Sequence, residues 1–182
     1  MSNYYTKTET DNKLTNVKNE CGSIFGSIDK VGDIGTINDG TYNKPWVIYT
    51  ISGSTYQLFP RKNLTDHSMN PTNTNAGGYT GSEMYTFVHN TVLPNLRRSG
   101  LNITSCDLIS LSVYKDIISK TGIEGKYFVD ERYTFWLTNT YGSVFDRAYF
   151  SYGEIHTVNW GDVTQNDSTY SLGVRPLITV VM

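Results

Sequence analysis

The first thirty residues carry an apolar repeat whose steps alternate between three and four residues. Its members are Leu14, Val17, Cys21, Ile24, Ile28 and Val31. This spacing is typical of the a and d positions of a coiled coil, and it predicts either a self-associating stalk or a helix packed on its own domain. Gly22 and Gly26 each disfavour a helix by about 1 kcal/mol relative to alanine, so support for a helix weakens beyond Glu20. We predict that residues 1–34 form an N-terminal oligomerisation or attachment segment.

A strand pattern replaces the helical one after Gly35. Residues 46–49 and 56–59 are β-branched or aromatic, and a Ser-Gly-Ser turn lies between them. This arrangement predicts a β-hairpin. The following stretch, residues 61–79, is polar and rich in turn-forming residues, and it predicts an exposed loop.

Two helices are predicted in the middle of the chain. The first opens at Ser82 and ends near Gly100, with Pro94 expected to kink it or to start a fresh turn. Its apolar stripe is formed by Met84, Phe87, Val88, Thr91 and Val92. The second is "LSVYKDIISKTG", which ends at Gly122. Short strands and long loops follow. Two helices among many strands, without alternation of strand and helix, predict an α+β fold.

Composition limits the class of protein. A chain of 182 residues suggests one main domain, and a net charge of −2 with mixed signs offers no basic surface for nucleic acid or an anionic membrane. No apolar run is long enough to span a bilayer. The opening "MSNYYTKTET" is polar and lacks the apolar core of a secretory signal. We therefore expect a soluble protein that is made in the cytoplasm, without membrane insertion.

The residues that usually carry catalysis or bind metals are scattered. Cys21 and Cys106 lie 85 positions apart, which is no zinc spacing and favours free buried thiols over a bridge. The histidines share no short motif with one another or with the cysteines, and they are His67, His89 and His156. Neither a glycine-rich phosphate loop nor a Gly-x-Ser-x-Gly elbow occurs. The sequence predicts no enzyme, cofactor or metal site.

One oxygen-rich stretch leaves a weaker alternative. Residues 162–167, "DVTQND", offer oxygen ligands of the kind that calcium prefers. They lack the regular alternation and the glycine of an EF-hand loop. Calcium at this stretch is therefore an alternative to the absence of metal.

The C-terminal half contains a familiar series of motifs. These are Trp136-Leu137, Ala148-Tyr149-Phe150, Gly153 and Gly173-Val174-Arg175-Pro176, followed by an apolar strand. The series resembles the C-type lectin-like domains of bacteriophage and prophage tail proteins. "GGYTGSEMYTFVHNTVLPNL" is similar to that family's first helix and "DLISLSVYKDI" to its mid-domain segment. The resemblance covers residues 35–182. The opening "YYTKTETDNKL" is similar to the first segment of many tail-fibre proteins.

The resemblance implies a C-type lectin-like fold with two helices and short antiparallel strands. It also implies a receptor-binding protein of the phage tail, assembled in the host cytoplasm and carried in the virion. Its partners would be a bacterial cell-surface protein or glycan and other tail proteins, and a homotrimer is the expected assembly. Some domains of this family are diversified by retroelements that mutate adenines. The alternative is a structural fibre or baseplate subunit without a host ligand.

Two activities found in related folds are not inherited. Formylglycine-generating enzymes use a pair of cysteines late in the domain, and neither cysteine of this chain lies in its C-terminal third. Calcium-dependent sugar-binding lectins carry a Glu-Pro-Asn or Gln-Pro-Asp triplet, which this sequence lacks. We therefore expect neither that enzymatic activity nor calcium-mediated sugar binding.

The interval 138–170 is rich in Tyr, Ser, Asn and Gly, which is the composition of a paratope. We expect it to form loops on a rigid scaffold, with Trp160 as the leading contact and a folded-back loop anchor as its alternative role. The candidate ligand-binding residues are Tyr141, Phe145, Asp146, Arg147, Tyr149, Tyr152, Glu154, His156, Asn159, Trp160, Asp162, Asn166, Asp167 and Tyr170. Trp136, Leu137 and Phe150 are predicted core residues. Arg175 is expected to pair with a carboxylate or with loop carbonyls.

Overall fold

The computed structural model describes residues 30–119, 134–141, 144–151, 154–157, 169 and 171–182, and for residues 118, 119, 141, 144–151 and 154–157 only the backbone. The predicted coiled coil falls on residues that lie mostly outside this part of the chain. Val31, the last member of its repeat, lies in a turn. The described part contains helices and mostly antiparallel strands, so the α+β class is confirmed.

Ten strands lie within the described residues. They are β1 (Ile34–Ile37), β2 (Lys44–Ser52), β3 (Thr55–Pro60), β4 (Thr65–Ser68), β5 (Ile103–Leu108), β6 (Thr134–Tyr141), β7 (Val144–Ser151), β8 (Glu154–Thr157), β9 (Ser171–Val174) and β10 (Pro176–Val181). A first sheet has the order β1-β2-β3-β10-β5 and is antiparallel throughout. A second sheet has the order β4-β9-β6-β7-β8, in which the pairing of β6 with β9 is parallel.

The predicted hairpin is formed by β2 and β3. Trp46 pairs with Pro60 and Ser52 with Thr55, so a two-residue turn closes the hairpin. Gly53 opens that turn with a φ of 59°, a left-handed conformation that glycine adopts without steric cost. The hairpin prediction is confirmed.

The first helical run begins as predicted. The hydroxyl of Ser82 accepts a hydrogen bond from the Tyr85 N–H at 3.1 Å and caps α1 (Glu83–Phe87). A π-helical turn (Val88–Val92) and α2 (Leu93–Arg97) continue the run, with Pro94 in the first turn of α2. Gly100 has a φ of 82° after the helix, which confirms the predicted stop.

The apolar stripe of this run is confirmed in part. Met84, Val88 and Val92 are buried, whereas Thr91 is exposed. The prediction for Thr91 was wrong because the π-helical turn changes the rotation of the residues that follow it relative to an α-helix. Leu96 is buried instead.

The second helix is α3 (Leu111–Ser119), which begins where the sequence predicts. Its predicted end at Gly122 lies outside the described residues. Cys106, on β5, is a buried free thiol, as expected, and burial raises its pKa above the ordinary range. Among the described residues, no helix is both long and apolar enough to cross a membrane.

The first sheet is covered by apolar side chains on both faces. On one face, Ile48, Leu58 and Ile178 pair across three strands and pack with the first helical run and with Trp136. On the other face, Val47 and Phe59 pack against α3 and the start of β6. Trp136 and Leu137 are fully buried, which confirms their predicted core role, while the side chain of Phe150 lies outside the described part.

Two predicted loops contain strands. The stretch 61–79 includes β4, which is flanked by the buried Leu64 and Met69 and pairs with β9. The interval that starts at residue 138 includes the end of β6, all of β7 and all of β8. The loop prediction is wrong for residues 65–68, because the pairing partner of β4 lies far away in the sequence. It is wrong only in part for the interval 138–170, because short strands were also expected after the second helix and Ala148-Tyr149-Phe150 lies on β7.

Candidate functional site

Seven of the predicted contact residues lie on three neighbouring strands of the second sheet, β6, β7 and β8. Tyr141 ends β6, while Phe145, Asp146, Arg147 and Tyr149 lie on β7 and Glu154 and His156 on β8. The predictions for the other seven fall outside the described residues, and these are Tyr152, Asn159, Trp160, Asp162, Asn166, Asp167 and Tyr170.

Strand register gathers five of these seven positions on one face. Tyr149 pairs with His156, and Ser151 pairs with Glu154. Because successive strand residues alternate between faces, positions 145, 147 and 149 share the face of positions 154 and 156. Asp146 occupies the opposite face, and Tyr141 joins it because Tyr141 pairs with Val144.

The same register extends across all five strands as one row. Tyr149 pairs with Thr134 on β6, and His67 on β4 pairs with Leu172 on β9. The parallel pairing of Phe135 with Gly173 brings the residues just before them, Thr134 and Leu172, side by side. The row therefore contains His67, Leu172, Thr134, Tyr149 and His156, and we call it the cross-strand row. Four gaps between strands give it a length of about 19 Å.

The cross-strand row lies at the border between core and solvent. The next row on the same face contains Trp136 and Val174, both fully buried. The Trp136 Nε1–H donates to the carbonyl oxygen of His67 at 2.9 Å, which fixes β4 to β6. His67, Leu172 and Thr134 are each half-buried. The row therefore lies next to core packing along one side, and its described side chains, His67, Leu172 and Thr134, are partly accessible.

Asn63 bridges β6 and β4 close to Gly173 of β9, the strand that lies between them. The Asn63 Nδ2 donates to the Thr134 carbonyl at 3.3 Å and to Asp66 Oδ1 at 3.4 Å. A Cβ on residue 173 would lie 1.9 Å from that Nδ2 atom. Gly173 is therefore required by the close approach of Asn63. Sequence reasoning missed Asn63, which has no local signal, whereas Gly173 belongs to the Gly-Val-Arg-Pro motif.

Arg175 joins the two sheets. It is fully buried, and its Nε and Nη2 donate to the Pro60 carbonyl at 3.1 and 2.5 Å. Its guanidinium carbon lies 5.0 Å from the ring centroid of Phe59 and 4.9 Å from that of Phe135. Phe59 belongs to the first sheet and Phe135 to the second. The expected pairing of Arg175 with a carbonyl through its planar fork is confirmed.

Two histidines make aromatic contacts that the sequence did not indicate. The rings of His67 and Phe87 stack at 4.0 Å, which places α1 against the first residue of the cross-strand row. Tyr85 packs on His89 at 4.0 Å, and His89 Nε2 lies 2.9 Å from Asp107 Oδ1. Ring packing therefore orients both imidazoles, and a hydrogen bond also orients that of His89.

Two kinds of chemically reactive group can be located among the described residues, the thiol of Cys106 and the side chains that could bind a metal ion. Cys106 lies on β5 and is fully buried. Because burial raises the pKa of its thiol, the reactive thiolate is disfavoured. No group of three or more His, Cys, Asp or Glu residues in the described part is placed to hold a metal ion. The predicted alternative of calcium at residues 162–167 lies outside this part of the chain.

Comparison of the chain with protein-family models, with curated proteins and with solved structures gives no match.

Proposed function

We propose that this chain is a receptor-binding protein of a phage tail, which recognises the host through strands β7 and β8 of its second sheet and the residues that follow them. The single observation that carries the proposal is the cross-strand row. It brings Tyr149 and His156 into one line with His67, on the face that also carries positions 145, 147 and 154.

The chemistry of this face suits recognition. Aromatic residues and arginine dominate the energy of protein interfaces, and this face combines Phe145, Arg147 and Tyr149 with two histidines and an acidic residue. The cross-strand row lies beside a row on the same face in which Trp136 and Val174 are fully buried. A rigid support lowers the entropy lost on binding, because fewer groups must be ordered.

The proposed scaffold is a C-type lectin-like domain over residues 35–182. Support comes from the α+β class, from the buried Trp136-Leu137 pair and from the interior role of Arg175 within the Gly-Val-Arg-Pro motif. The proposed partners are a bacterial surface protein or glycan and other tail proteins, and the proposed assembly is a homotrimer. Diversification of the loops by a retroelement belongs to the same proposal.

The test measures binding of the purified full chain to intact cells of candidate bacterial hosts. The test variants are Tyr149→Ala and His156→Ala, separately and together. The matched controls are Thr91→Ala on the first helical run and Thr104→Ala on β5, both at exposed positions. We expect the double variant to lose most of the binding while the controls retain it, with thermal unfolding used to verify that every variant is folded.

The alternative is a structural fibre or baseplate subunit. Firm association with other tail proteins, together with no binding to any host on which the phage grows, would favour it. Binding that survives every substitution on the cross-strand row would instead place the receptor contact elsewhere on the molecule.

A further inference from the structure

The imidazole of His67, at one end of the cross-strand row, is held in one orientation. Its ring stacks on that of Phe87 with 4.0 Å between the centroids and 17° between the planes. Its Nδ1 lies 2.7 Å from the carbonyl oxygen of Ser68. A carbonyl oxygen can only accept a hydrogen bond, so Nδ1 carries the hydrogen. In the neutral imidazole, Nε2 is then a hydrogen-bond acceptor.

The Nε2 atom of His67 can accept a hydrogen bond from outside the fold. Within the part of the chain that the structure describes, this atom has no hydrogen-bond partner. It is also not one of the buried side-chain atoms that lack a partner in that part. The atom is therefore accessible, and a donor group of a ligand can bind it without displacing a hydrogen bond of the protein.

The next two residues of the row place this acceptor in a mixed polar and apolar setting. Leu172 follows on β9 and Thr134 on β6, and both are half-buried. The carbonyl of Thr134 accepts from Asn63, whereas its hydroxyl has no partner among the described residues and is not buried. Two gaps between strands separate His67 from Thr134 by about 10 Å, with Leu172 between them. The row therefore presents two polar groups on either side of an apolar side chain.

A neutral carbohydrate matches this arrangement. A sugar ring carries hydroxyl groups around its rim and C–H groups on its faces. It can therefore donate to an acceptor, bond a hydroxyl and cover an apolar side chain in one position. None of the three side chains is charged when the imidazole is neutral, and a charged ligand group that loses water without a paired charge binds at a high cost.

We propose that His67, Leu172 and Thr134 form a carbohydrate subsite, in which His67 Nε2 accepts a hydrogen bond from a hydroxyl of a glycan on the host surface. The Thr134 hydroxyl bonds a second hydroxyl of the same sugar, and Leu172 packs on its C–H groups. The inference rests on the proposed function, and it names a glycan as the class of receptor. Because stacking and the bond to Ser68 fix the imidazole beforehand, little entropy is lost on binding.

The experiment measures the concentration of the full chain at half-saturation of intact cells of a bacterial host. His67→Phe keeps an aromatic ring against Phe87 but has no acceptor, whereas His67→Gln keeps an acceptor and loses the ring. Thr134→Val removes the hydroxyl with little change of shape. The matched controls are His89→Phe and His89→Gln, because His89 also packs on an aromatic ring and bonds Asp107 of the first sheet. Thermal unfolding verifies that every variant is folded.

We expect His67→Phe and Thr134→Val each to raise the concentration at half-saturation about three- to tenfold, the range of one hydrogen bond. His67→Gln should stay closer to the wild type, and both His89 variants should match it. A purely structural role of His67 predicts the reverse order, because phenylalanine keeps the ring stack and glutamine does not. That reverse order, or wild-type binding by both His67→Phe and Thr134→Val, overturns the proposal.

Treatment of the cells distinguishes a glycan from a protein receptor. Periodate cleaves the vicinal diols of sugars, so we expect it to abolish binding of the wild-type chain, while protease leaves binding intact. Loss of binding after protease alone overturns the glycan and identifies a protein receptor.

The variants also separate this inference from the proposed function. If the double variant Tyr149→Ala with His156→Ala loses binding while His67→Phe and Thr134→Val retain it, the carbohydrate subsite is wrong and the proposed function stands. If all of these variants bind host cells as the wild type does, the proposed recognition through β7 and β8 fails as well.

Discussion

The two sheets differ in how their faces are used. In the first sheet, neighbouring strands pair apolar residues such as Leu58 with Ile178 on one face, and Phe59 lies buried on the other. In the second sheet, Trp136 and Phe135 are fully buried. His67 and Thr134, in the row next to Trp136, are only half-buried. The first sheet is thus buried on both faces, whereas described side chains of the second sheet next to Trp136 are partly accessible.

The largest expected effect comes from the residue that joins the sheets. Replacement of Arg175 by Ala removes a fully buried guanidinium from between Phe59 and Phe135 and leaves the Pro60 carbonyl without its two donated bonds. We expect the free energy of unfolding to fall by about 3–5 kcal/mol, because a cavity and an unsatisfied acceptor are created together. Urea denaturation measures the loss.

The exposed Arg98→Ala serves as the control for this change, and its stability should match that of the wild type. If Arg175→Ala keeps wild-type stability, the stability of the two sheets does not depend on this side chain.

A smaller loss is expected where β9 approaches Asn63. Gly173→Ala places a methyl group within 1.9 Å of the Asn63 Nδ2 atom. The side chain must leave its bond to the Thr134 carbonyl, and we expect a loss of about 2–3 kcal/mol. In a double-mutant cycle, Asn63→Ala should recover part of this loss, because it vacates the space that the methyl needs. Additive losses would contradict the steric explanation.

The proposed host recognition is tested at Trp160, the leading predicted contact residue. We expect Trp160→Ala to weaken target binding by at least about 2 kcal/mol, the magnitude of an interface hot spot, while the Tm stays nearly unchanged. Binding to host cells and thermal unfolding are measured on the same preparation. A large fall in Tm with unaltered binding per folded molecule would identify Trp160 as a loop anchor, which is its alternative role.

The smallest expected effect is a loss of stability at alkaline pH, which arises from two buried tyrosines of the core. Burial raises the pKa of Tyr79 and of Tyr114 above the ordinary value of 10.0, so the folded state keeps protons that the unfolded chain releases. Stability is therefore fully present below pH 10 and falls as the pH rises above it. At one pH unit above the pKa of tyrosine in the unfolded chain, each of these two tyrosines lowers the free energy of unfolding by about 1.4 kcal/mol.

Thermal unfolding between neutral and strongly alkaline pH measures this slope. Tyr114→Phe should make the slope shallower by one proton, whereas substitution of the exposed Lys115 by Gln should leave it unchanged. An identical slope for Tyr114→Phe would show that this phenol titrates normally in the folded protein.

Local sequence patterns determined much of the scaffold. The β2–β3 hairpin followed from alternating residues around a Ser-Gly-Ser turn, and Ser82 and Gly100 marked the two ends of the first helical run. These predictions succeeded because turns and caps depend on residues that are adjacent in the chain. The aromatic Trp136 was also recognisable as core from its neighbours.

Only the tertiary structure decided which strands meet. The sequence alone presents His67 and Leu172 as unrelated polar and apolar positions, yet β4 and β9 pair and begin the cross-strand row. The close approach of Asn63 to Gly173 and the π-helical turn at residues 88–92 have no local sequence signal either. The physical reason is that register between distant strands depends on the burial of whole faces, which no short window of the chain contains.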